Sequence, residues 1–379
     1  MTESRVKSDS GGVAIVVTGK AHTMFVAVRD LRFARGRFIL IGSVVALITV
    51  LVGFLSGLTG GLATQNVSAV LELPADRIVF SAHAAGDDGA TFSDSAITMQ
   101  QAADWAASDG VEAARPVGIS QTRGESDHAR AAIAVFGVEP GFDPEAPSAG
   151  GLLRLSAPAA QALDVTNGND VTIAGTTYVV ESIGGDGWYS HTPVVRMTLD
   201  DWQAYSAATG NAGVYATVLA VTGDPDWDAA DAVNSTASET TLGSLMALSA
   251  FRSEIGSLLL MIVMLFGISG LVIGAFFTVW TMQRKSDIAV LKALGASTRS
   301  LVRDALGQAL IVLLLGIGIG LGLVAAFSAL AGTDIPFLLS PMTTVLPGVI
   351  MIVLGLAGAA FALRSVTSAD PLTALGSNR

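Results

Sequence analysis

Two ionisable residues, Arg252 and Glu254, lie at the start of a long apolar stretch of the chain. Charged side chains at the edge of a membrane-spanning segment bind ligands when they face the inside of a helix bundle; otherwise they anchor the helix among lipid headgroups. Both interpretations stay open from the sequence alone. Neighbouring methionines would add an adaptable cleft for a bulky ligand, because their side chains repack easily, although ordinary packing explains any one of them equally well. The candidate substrate-binding residues are Arg252, Glu254, Met246, Phe251 and Met261.

The sequence motifs of common enzymes are missing. Gly19-Lys20 lacks the earlier glycine and the following serine or threonine of a phosphate-binding P-loop, so ATP hydrolysis on that motif is excluded. The four histidines occur in no HExxH or other paired spacing, and the absence of cysteine removes thiolate metal sites. No Gly-x-Ser-x-Gly elbow of a serine hydrolase is present. We therefore predict no catalytic residue, no metal site and no intrinsic cofactor.

The composition places the chain among membrane proteins. Hydrophobic residues make up 51% of the sequence, charged residues only 14%, and the mean hydropathy is +0.58. Four apolar stretches are long enough to cross a bilayer as helices, which takes about 20 residues. These predicted transmembrane helices cover residues 38–63, 255–283, 304–331 and 343–364.

Charge is divided unevenly among the segments that join the spans. Residues 64–245 contain 24 acidic side chains against six arginines and no lysine, a net charge of −18, which leaves +7 for the rest of a chain whose total is −11. Because basic segments stay in the cytoplasm, residues 64–250 are predicted to form an extracytoplasmic domain and both termini to be cytoplasmic. The acidic domain also argues against a nucleic-acid partner.

Further segments complete the predicted topology. Residues 1–23 are polar and lack amphipathic period; they are either disordered or foreign to the native chain and take no part in the fold. Residues 24–37 mix apolar side chains with arginines, which predicts a basic amphipathic helix lying on the lipids of the inner leaflet. Residues 284–303 form a cytoplasmic loop and residues 365–379 a cytoplasmic tail.

The extracytoplasmic domain is predicted to have mixed α/β character. Ser95 is expected to cap a helix that ends at Ala107, and residues 156–163 to form a second helix. Alternating apolar residues predict strands, two of them joined by a hairpin turn at Ala174-Gly175. The fold class is therefore a membrane α-helical protein of four transmembrane helices, with one mixed α/β domain inserted between helices 1 and 2. Strands are expected at residues 133–138, 171–173, 178–183, 194–199 and 214–221.

Glycines recur every four residues in two of the predicted spans. This small-xxx-small spacing puts the glycines on one helix face and lets two helix backbones approach closely. Glycine is also common in membrane helices for other reasons, so the pattern alone leaves the partner open. We interpret it as the contact between two copies of the chain. The predicted dimer-interface residues are Gly53, Gly57, Gly61, Gly270 and Gly274.

The loop between the second and third spans reads as a short helix with its own start and end. Ser286 and Asp287 supply an N-cap and a first-turn carboxylate, and Gly295 offers the left-handed position that ends helices. Apolar residues at helical spacing line one face of it, as expected for docking onto a partner protein or the membrane surface. A solvated loop is the alternative. The apolar face is formed by Ile288, Leu291 and Leu294, with Lys292 in the last turn.

The order of these elements resembles a known family. One span, a large external domain and three further spans, with the segment Ile288 to Ser297 after the second, is similar to the MacB/FtsX/LolC-type ABC transporter permeases. Their loop motif is matched by Lys292-Ala-Leu-Gly-Ala296 and their terminal ending by Asp370 to Leu375. Leu155 to Leu163, followed by Asn169 to Ile173, resembles the helix-and-hairpin element of their external domain. The compact domain and the lack of a fused ATPase look most like the haem-efflux (HrtB-like) branch.

The resemblance implies a homodimeric permease paired with two copies of a cytoplasmic ABC ATPase, which would hold ATP and magnesium. The loop helix would then be the coupling helix that inserts into each ATPase, with Gly295 ending it and Lys292 and Arg299 helping to seat it. ATP-driven closure of the ATPases would move the transmembrane helices as levers. The chain would lie in the bacterial plasma membrane as a multi-pass protein.

The resemblance leaves more than one function open. The first is export of a hydrophobic, membrane-partitioning substrate, with haem as the best candidate: Arg252 would meet a propionate, and Glu254 or a methionine would approach the iron. Export of lipids, peptides or macrolides is an alternative. Another is an FtsX-like signalling permease that regulates cell-wall hydrolases, for which an exposed aromatic patch on the external domain is needed. That patch would draw on Phe92, Trp105, Trp188, Tyr189 and Trp202.

Overall fold

The computed structural model describes residues 35–82, 90–284, 290, 294–295, 297–332 and 335–367. These residues fall into two compact units, which are described separately below. One unit contains the described residues of 1–54, 265–329 and 344–379; the other contains those of 55–264 and 330–343. The helices, in chain order, are α1 Arg35–Leu71, α2 Met99–Ala106, α3 Ala157–Leu163, α4 Leu199–Ala208, α5 Trp227–Asn234, α6 Ser249–Gln283, α7 Thr298–Ala331 and α8 Val345–Thr367.

Helices α1, α6, α7 and α8 are long and apolar enough to cross a membrane, with mean hydropathies of 2.8, 2.6, 2.8 and 2.3. The predicted four-span fold class, with an α/β domain between the first and second spans, is confirmed. Several of these helices extend beyond the predicted spans; α6, for example, begins at Ser249 and not at residue 255. Helix α1 continues past residue 63 to Leu71 because Val67 and Val70 bury an apolar face in the α/β domain. Helix α7 begins at Thr298, where the Ser297 hydroxyl accepts a hydrogen bond from Ser300 N.

The strands of the α/β domain are β1 Arg77–Ser81, β2 Val111–Glu125, β3 Arg130–Val138, β4 Leu152–Leu155, β5 Asp170–Ile173, β6 Thr176–Ile183, β7 Trp188–Tyr189, β8 Thr192–Thr198, β9 Val218–Gly223 and β10 Thr236–Thr240. They pair in the order β10-β1-β9-β2-β3-β8-β4-β6-β5. The C-terminal end of β2 also pairs with β5. A small barrel therefore forms from β2, β3, β8, β4, β6 and β5, in that order of pairing. Strand β2 thus belongs to both parts of the sheet, because its first half pairs with β9 and its second half with β3.

A tryptophan fixes the packing of helix α4 on the barrel. Trp202 is buried over Gly118 and Gly137, which face each other across β2 and β3. A Cβ atom at Gly118 would lie 2.5 Å from Cε2 of the indole, so only glycine leaves room for the ring. The indole nitrogen donates a hydrogen bond of 3.0 Å to the Ser120 hydroxyl. This contact gives a structural reason for two glycines in the middle of long strands.

The local turn and cap signals of the domain have mixed outcomes. The predicted helix α3 forms and is capped by Ser156. The predicted hairpin turn at Ala174-Gly175 also forms, and both of its residues have positive φ, 49° and 84°. The expected cap at Ser95 is wrong, because α2 starts later. Thr98 caps it and exchanges hydrogen bonds with Gln101, which makes a complete capping box.

Glycines in the helical unit bring together helices of the same chain. A Cβ atom at Gly53 of α1 would lie 3.0 Å from Val324 of α7, and one at Gly270 of α6 would lie 3.7 Å from Leu354 of α8. Gly274 meets Gly358 of α8 in the same way. The predicted close approach of helices is therefore present. The assignment of these three glycines to a dimer interface stays a prediction.

The other two glycines of α1 pack against the segment that precedes α8. A Cβ atom at Gly57 would lie 2.7 Å from the Phe337 ring, and one at Gly61 would overlap the Pro336 carbonyl and lie 2.9 Å from Phe337 N. Leu338 N donates a hydrogen bond of 3.0 Å to the Gly57 carbonyl. Gly57 and Gly61 thus make close contacts within the chain, and their place in a dimer interface also stays a prediction.

Candidate functional site

Glu254, in the second turn of α6, belongs to a polar cluster of three side chains. Nε2 of His191 lies 3.1 Å from Oε1 and 3.2 Å from Oε2 of this carboxylate. Asn66, near the end of α1, donates through Nδ2 to Oε2 of Glu254 over 3.4 Å, and the same nitrogen lies 3.4 Å from Nε2 of His191. The cluster joins residues that are far apart in the sequence, and it lies where two membrane helices meet the α/β domain.

The hairpin turn that carries His191 is held by the end of α1. Strands β7 and β8 are joined by Ser190 and His191 alone, and both have positive φ, 49° and 62°. Residues other than glycine rarely adopt two consecutive left-handed conformations, and each costs roughly 1 kcal/mol or more. The backbone N–H groups of Ser190 and His191 donate to the carbonyls of Asn66 and Gln65, over 2.9 and 3.0 Å. The helix therefore stabilises the strained turn and fixes the position of the imidazole.

The contacts of Nε2 bear on which ring nitrogen of His191 can bind a ligand. A neutral imidazole that donates from Nε2 to the Glu254 carboxylate carries its proton on Nε2. The lone pair is then on Nδ1. A carboxylate that holds a histidine in this way makes the free ring nitrogen a better ligand for a metal ion. The imidazole is 34% exposed and the carboxylate 42%, so both groups are accessible from outside.

Asn66 is the buried member of the cluster. Its side chain is only 1% exposed, and its Oδ1 atom has no hydrogen-bond partner among the described residues. A buried carbonyl oxygen without a partner costs about 1–3 kcal/mol. The asparagine is therefore tolerated at a cost in stability, which points to a role beyond packing.

The other predicted binding residues differ in their surroundings. Arg252 is exposed on the first turn of α6, and Met261, two turns beyond Glu254, is exposed on the same helix. Met246 is exposed in a short 3₁₀ helix, Gly243–Ala247, which precedes α6. Phe251 is half-buried and packs against the core of the α/β domain. Substrate binding by these five residues stays a prediction.

Two members of the cluster, His191 and Asn66, were not predicted as site residues. His191 forms no metal-binding spacing with another histidine, and Asn66 lies beyond the predicted end of the first span. No sequence pattern links these residues to Glu254. The one local signal was the polar Thr64-Gln65-Asn66 run inside what turned out to be a continuous helix.

A second ionic cluster ties the end of α1 to strand β8. Arg196, with a side chain only 7% exposed, lies 2.6 Å from Asp143, 3.5 Å from Glu145 and 3.8 Å from Glu72, the residue that follows α1. The pKa of the Glu72 carboxyl is raised overall: burial raises it, the Arg196 guanidinium lowers it, and the neighbouring carboxylates raise it further.

Within the described residues no group of three or more His, Cys, Asp or Glu could hold a metal ion.

The predicted coupling residues fall only partly in the described chain. Ile288, Leu291 and Lys292 lie outside the described residues. Leu294 is 80% exposed, and its N–H donates to the Val290 carbonyl over 3.0 Å, which is one helical turn. Gly295 has a φ of +94°, the left-handed conformation expected at the end of a helix, and Arg299 is exposed in the first turn of α7. Their role in ATPase coupling stays a prediction.

A membrane protein with four spanning helices and an α/β domain between the first two has the architecture of a transporter permease. Residues 259–371 match the model of the family described as FtsX-like permease C-terminal. The predicted resemblance to ABC transporter permeases is confirmed: the chain carries an FtsX-like permease domain and is a multi-pass protein of the bacterial membrane. Permeases of ABC transport systems work with an ATPase, so the resemblance implies an ATPase partner.

Relatives of known name cover nearly the whole chain. Two proteins named as hemin transport system permease HrtB, from Staphylococcus epidermidis and Staphylococcus haemolyticus, are 23% and 24% identical to it. Each comparison covers 93% of this chain and 99% of the relative. The chain is also similar to the solved periplasmic region of MacB from Actinobacillus actinomycetemcomitans, at 9% identity and a TM-score of 0.34, over 45% of this chain and 94% of that one. A TM-score this low supports no inference about the structure or function of this chain.

Proposed function

We propose that this chain is the permease of an ATP-driven exporter of a hydrophobic, membrane-partitioning substrate, and that this substrate is haem. The observation that carries the proposal is the His191–Glu254 pair, a partly exposed imidazole and carboxylate in contact near the start of membrane helix α6. The similarity to hemin transport permeases along 93% of the chain supports the same substrate.

The chemistry of haem fits the accessible groups of this region. Histidine and methionine are common axial ligands of haem iron, and arginine pairs with carboxylates such as the two propionates. Nδ1 of His191 is the candidate iron ligand, and Arg252 is the candidate partner of a propionate. Met261 offers a second soft ligand and apolar surface on the same helix.

Energy for export comes from a separate ABC ATPase in this proposal, and the permease itself is not catalytic. Two permease copies and two ATPase copies form the complex, with both permease termini on the ATPase side of the membrane. Residues 284–303 carry the coupling helix, whose seating on the ATPase involves Leu291, Leu294 and Arg299. ATP-driven closure moves the membrane helices as levers and changes the outer site.

Haemin titration of the purified permease tests the proposal. We expect a Soret shift with wild type, and a weaker or altered shift with His191→Ala and Glu254→Gln. Glu112→Gln is the matched control, because Glu112 is an exposed carboxylate of the same domain outside the cluster. Absence of a Soret shift in wild type, or an equal shift in all variants, would refute haem binding at this site.

The signalling alternative finds no support in the domain surface. Of the five aromatic residues that would form an exposed patch, Phe92, Trp105, Tyr189 and Trp202 are buried. Phe92 and Tyr189 stack edge to face at 5.9 Å inside the domain core. These residues stabilise the fold, so they cannot present a docking surface for a hydrolase.

A further inference from the structure

The C-terminal end of α6 is joined to α7 by a polar contact. Nη1 of Arg284, the residue that follows α6, donates a hydrogen bond of 2.6 Å to Oε1 of Gln308. The guanidinium also lies 5.6 Å from the ring centroid of Trp280, at cation–π distance. A charge-assisted hydrogen bond and a stacked ring hold this guanidinium in one orientation.

The surroundings of this contact are apolar and closely packed. Gln308 is only 5% exposed, and its neighbour Ala309 belongs to the core of the helical unit. Trp280 is buried and meets Phe38 of α1 edge to face at 5.8 Å and Phe277 at 5.8 Å. Phenylalanines of α1 and α6 therefore contact the indole, and the Arg284 guanidinium lies over the same ring.

A glutamine in this position is a costly choice for packing alone. An apolar residue of the same size would fill the space without the need for a partner, whereas the buried amide oxygen requires a donor. Arg284 supplies that donor from the first position after α6, directly before the loop of residues 285–296. The contact thus joins the start of that loop to the flank of the next helix.

We propose that Arg284, Gln308 and Trp280 form a positioning latch through which movement of the loop, driven by the ATPase, moves α6 and α7 together. The proposal rests on the ATP-driven part of the proposed function and needs no assumption about the substrate. A loop joined to α6 only through the flexible backbone would shift without moving the helix. With the guanidinium bound to both Trp280 and Gln308, α6 and α7 are joined at the residue that precedes the loop.

The test uses the permease in complex with its ATPase, in nanodiscs. The chain contains no cysteine, so Ser253→Cys, exposed at the outer end of α6, carries a single environment-sensitive fluorophore. We measure the fluorescence change between ADP-Mg and ATP-Mg, together with basal ATP hydrolysis, and leave haemin out. Failure of the haem proposal therefore leaves this measurement unaffected.

We expect Arg284→Ala and Gln308→Leu each to reduce the ATP-dependent change at least about fivefold while basal hydrolysis stays within about twofold. The double variant should match either single one, because the two residues act as a unit. Arg284→Lys, which keeps the charge without the planar fork, should be intermediate. Arg77→Ala is the matched control, since Arg77 also lies over a tryptophan, 4.7 Å from the Trp227 ring, but in the α/β domain.

Several outcomes would overturn the proposal: a full change in both variants, an equal loss in Arg77→Ala, or no ATP-dependent change in wild type. If Arg284→Ala fails to assemble with the ATPase, Gln308→Glu decides the question. A carboxylate there strengthens the contact with Arg284, so the variant should assemble and keep the full fluorescence change. Loss of the change in Gln308→Glu would also contradict the latch.

Discussion

The glycines of α1 allow a direct test of whether their partner is this chain or a second copy. In Gly61→Ala, the added methyl group would overlap the Pro336 carbonyl and lie 2.9 Å from Phe337 N. Both obstacles are backbone atoms, which cannot rotate away as a side chain can. The segment before α8 must therefore move off the helix, and its hydrogen bond from Leu338 N to the Gly57 carbonyl is strained or lost.

The size of the effect follows from three terms. Overpacking in a close-packed contact costs about 1–3 kcal/mol. Loss of the Leu338–Gly57 hydrogen bond adds about 1 kcal/mol. Alanine favours the helix over glycine by up to about 1 kcal/mol, which offsets part of this cost. We therefore expect Gly61→Ala to destabilise the protein by about 2 kcal/mol.

Thermal unfolding of the purified protein in detergent measures the difference. Gly42→Ala is the matched control on the same helix, because a Cβ atom there meets nothing within 4 Å. Gly61→Ala should lower the Tm by several degrees relative to Gly42→Ala, with no change in the oligomeric state. An unchanged Tm with loss of dimer on size exclusion would show that the second copy, and not Pro336, occupies this face.

Three further predictions concern the loop, the ionic cluster and a helix cap. Leu291→Asp should abolish co-purification of the ATPase while leaving membrane insertion intact, and equal recovery of the ATPase would contradict the coupling role. Because the pKa of Glu72 is raised in the folded protein, this residue contributes to stability at low pH and loses that contribution as pH rises through the raised pKa. The Tm of Glu72→Gln should therefore exceed that of wild type most at pH 8, and the difference should shrink as pH falls towards the ordinary pKa of 4.5. A Tm difference that does not depend on pH would contradict this prediction. Thr98→Ala should lower stability by about 1 kcal/mol in denaturant unfolding, because it removes the capping box of α2, whereas Ser93→Ala on the exposed loop before it should change nothing.

Local patterns were sufficient for most of the fold. Long apolar stretches predicted all four spanning helices, and the Ala174-Gly175 hairpin formed at the expected residues. The prediction at the start of α2 was wrong because it placed the cap at Ser95, whereas Thr98 caps the helix. Only Thr98 has a glutamine three residues later, so the capping box was the stronger signal.

The partners of predicted residues were harder to find than the residues themselves. Helical spacing correctly indicated that the glycines of α1 and α6 permit close approach, but spacing does not tell which backbone approaches. Glu254 was predicted for its position at the edge of the membrane, whereas its neighbours Asn66 and His191 come from distant parts of the chain. Only the extension of α1 into the α/β domain brings them together, and that extension depends on tertiary burial of Val67 and Val70.

Helix α6 connects the two ends of the proposed mechanism. Within one chain only 11% of its most apolar 18-residue window is buried, against 33% in each of the other three spanning helices. Side-chain packing therefore restrains it less, and the polar contacts near its ends, Glu254 with His191 and Arg284 with Gln308, matter more for its position. These two contacts are 30 residues apart in the sequence, one near each end of α6. In the proposed mechanism, a substrate that binds Glu254 would by linkage alter the equilibrium at the ATPase end.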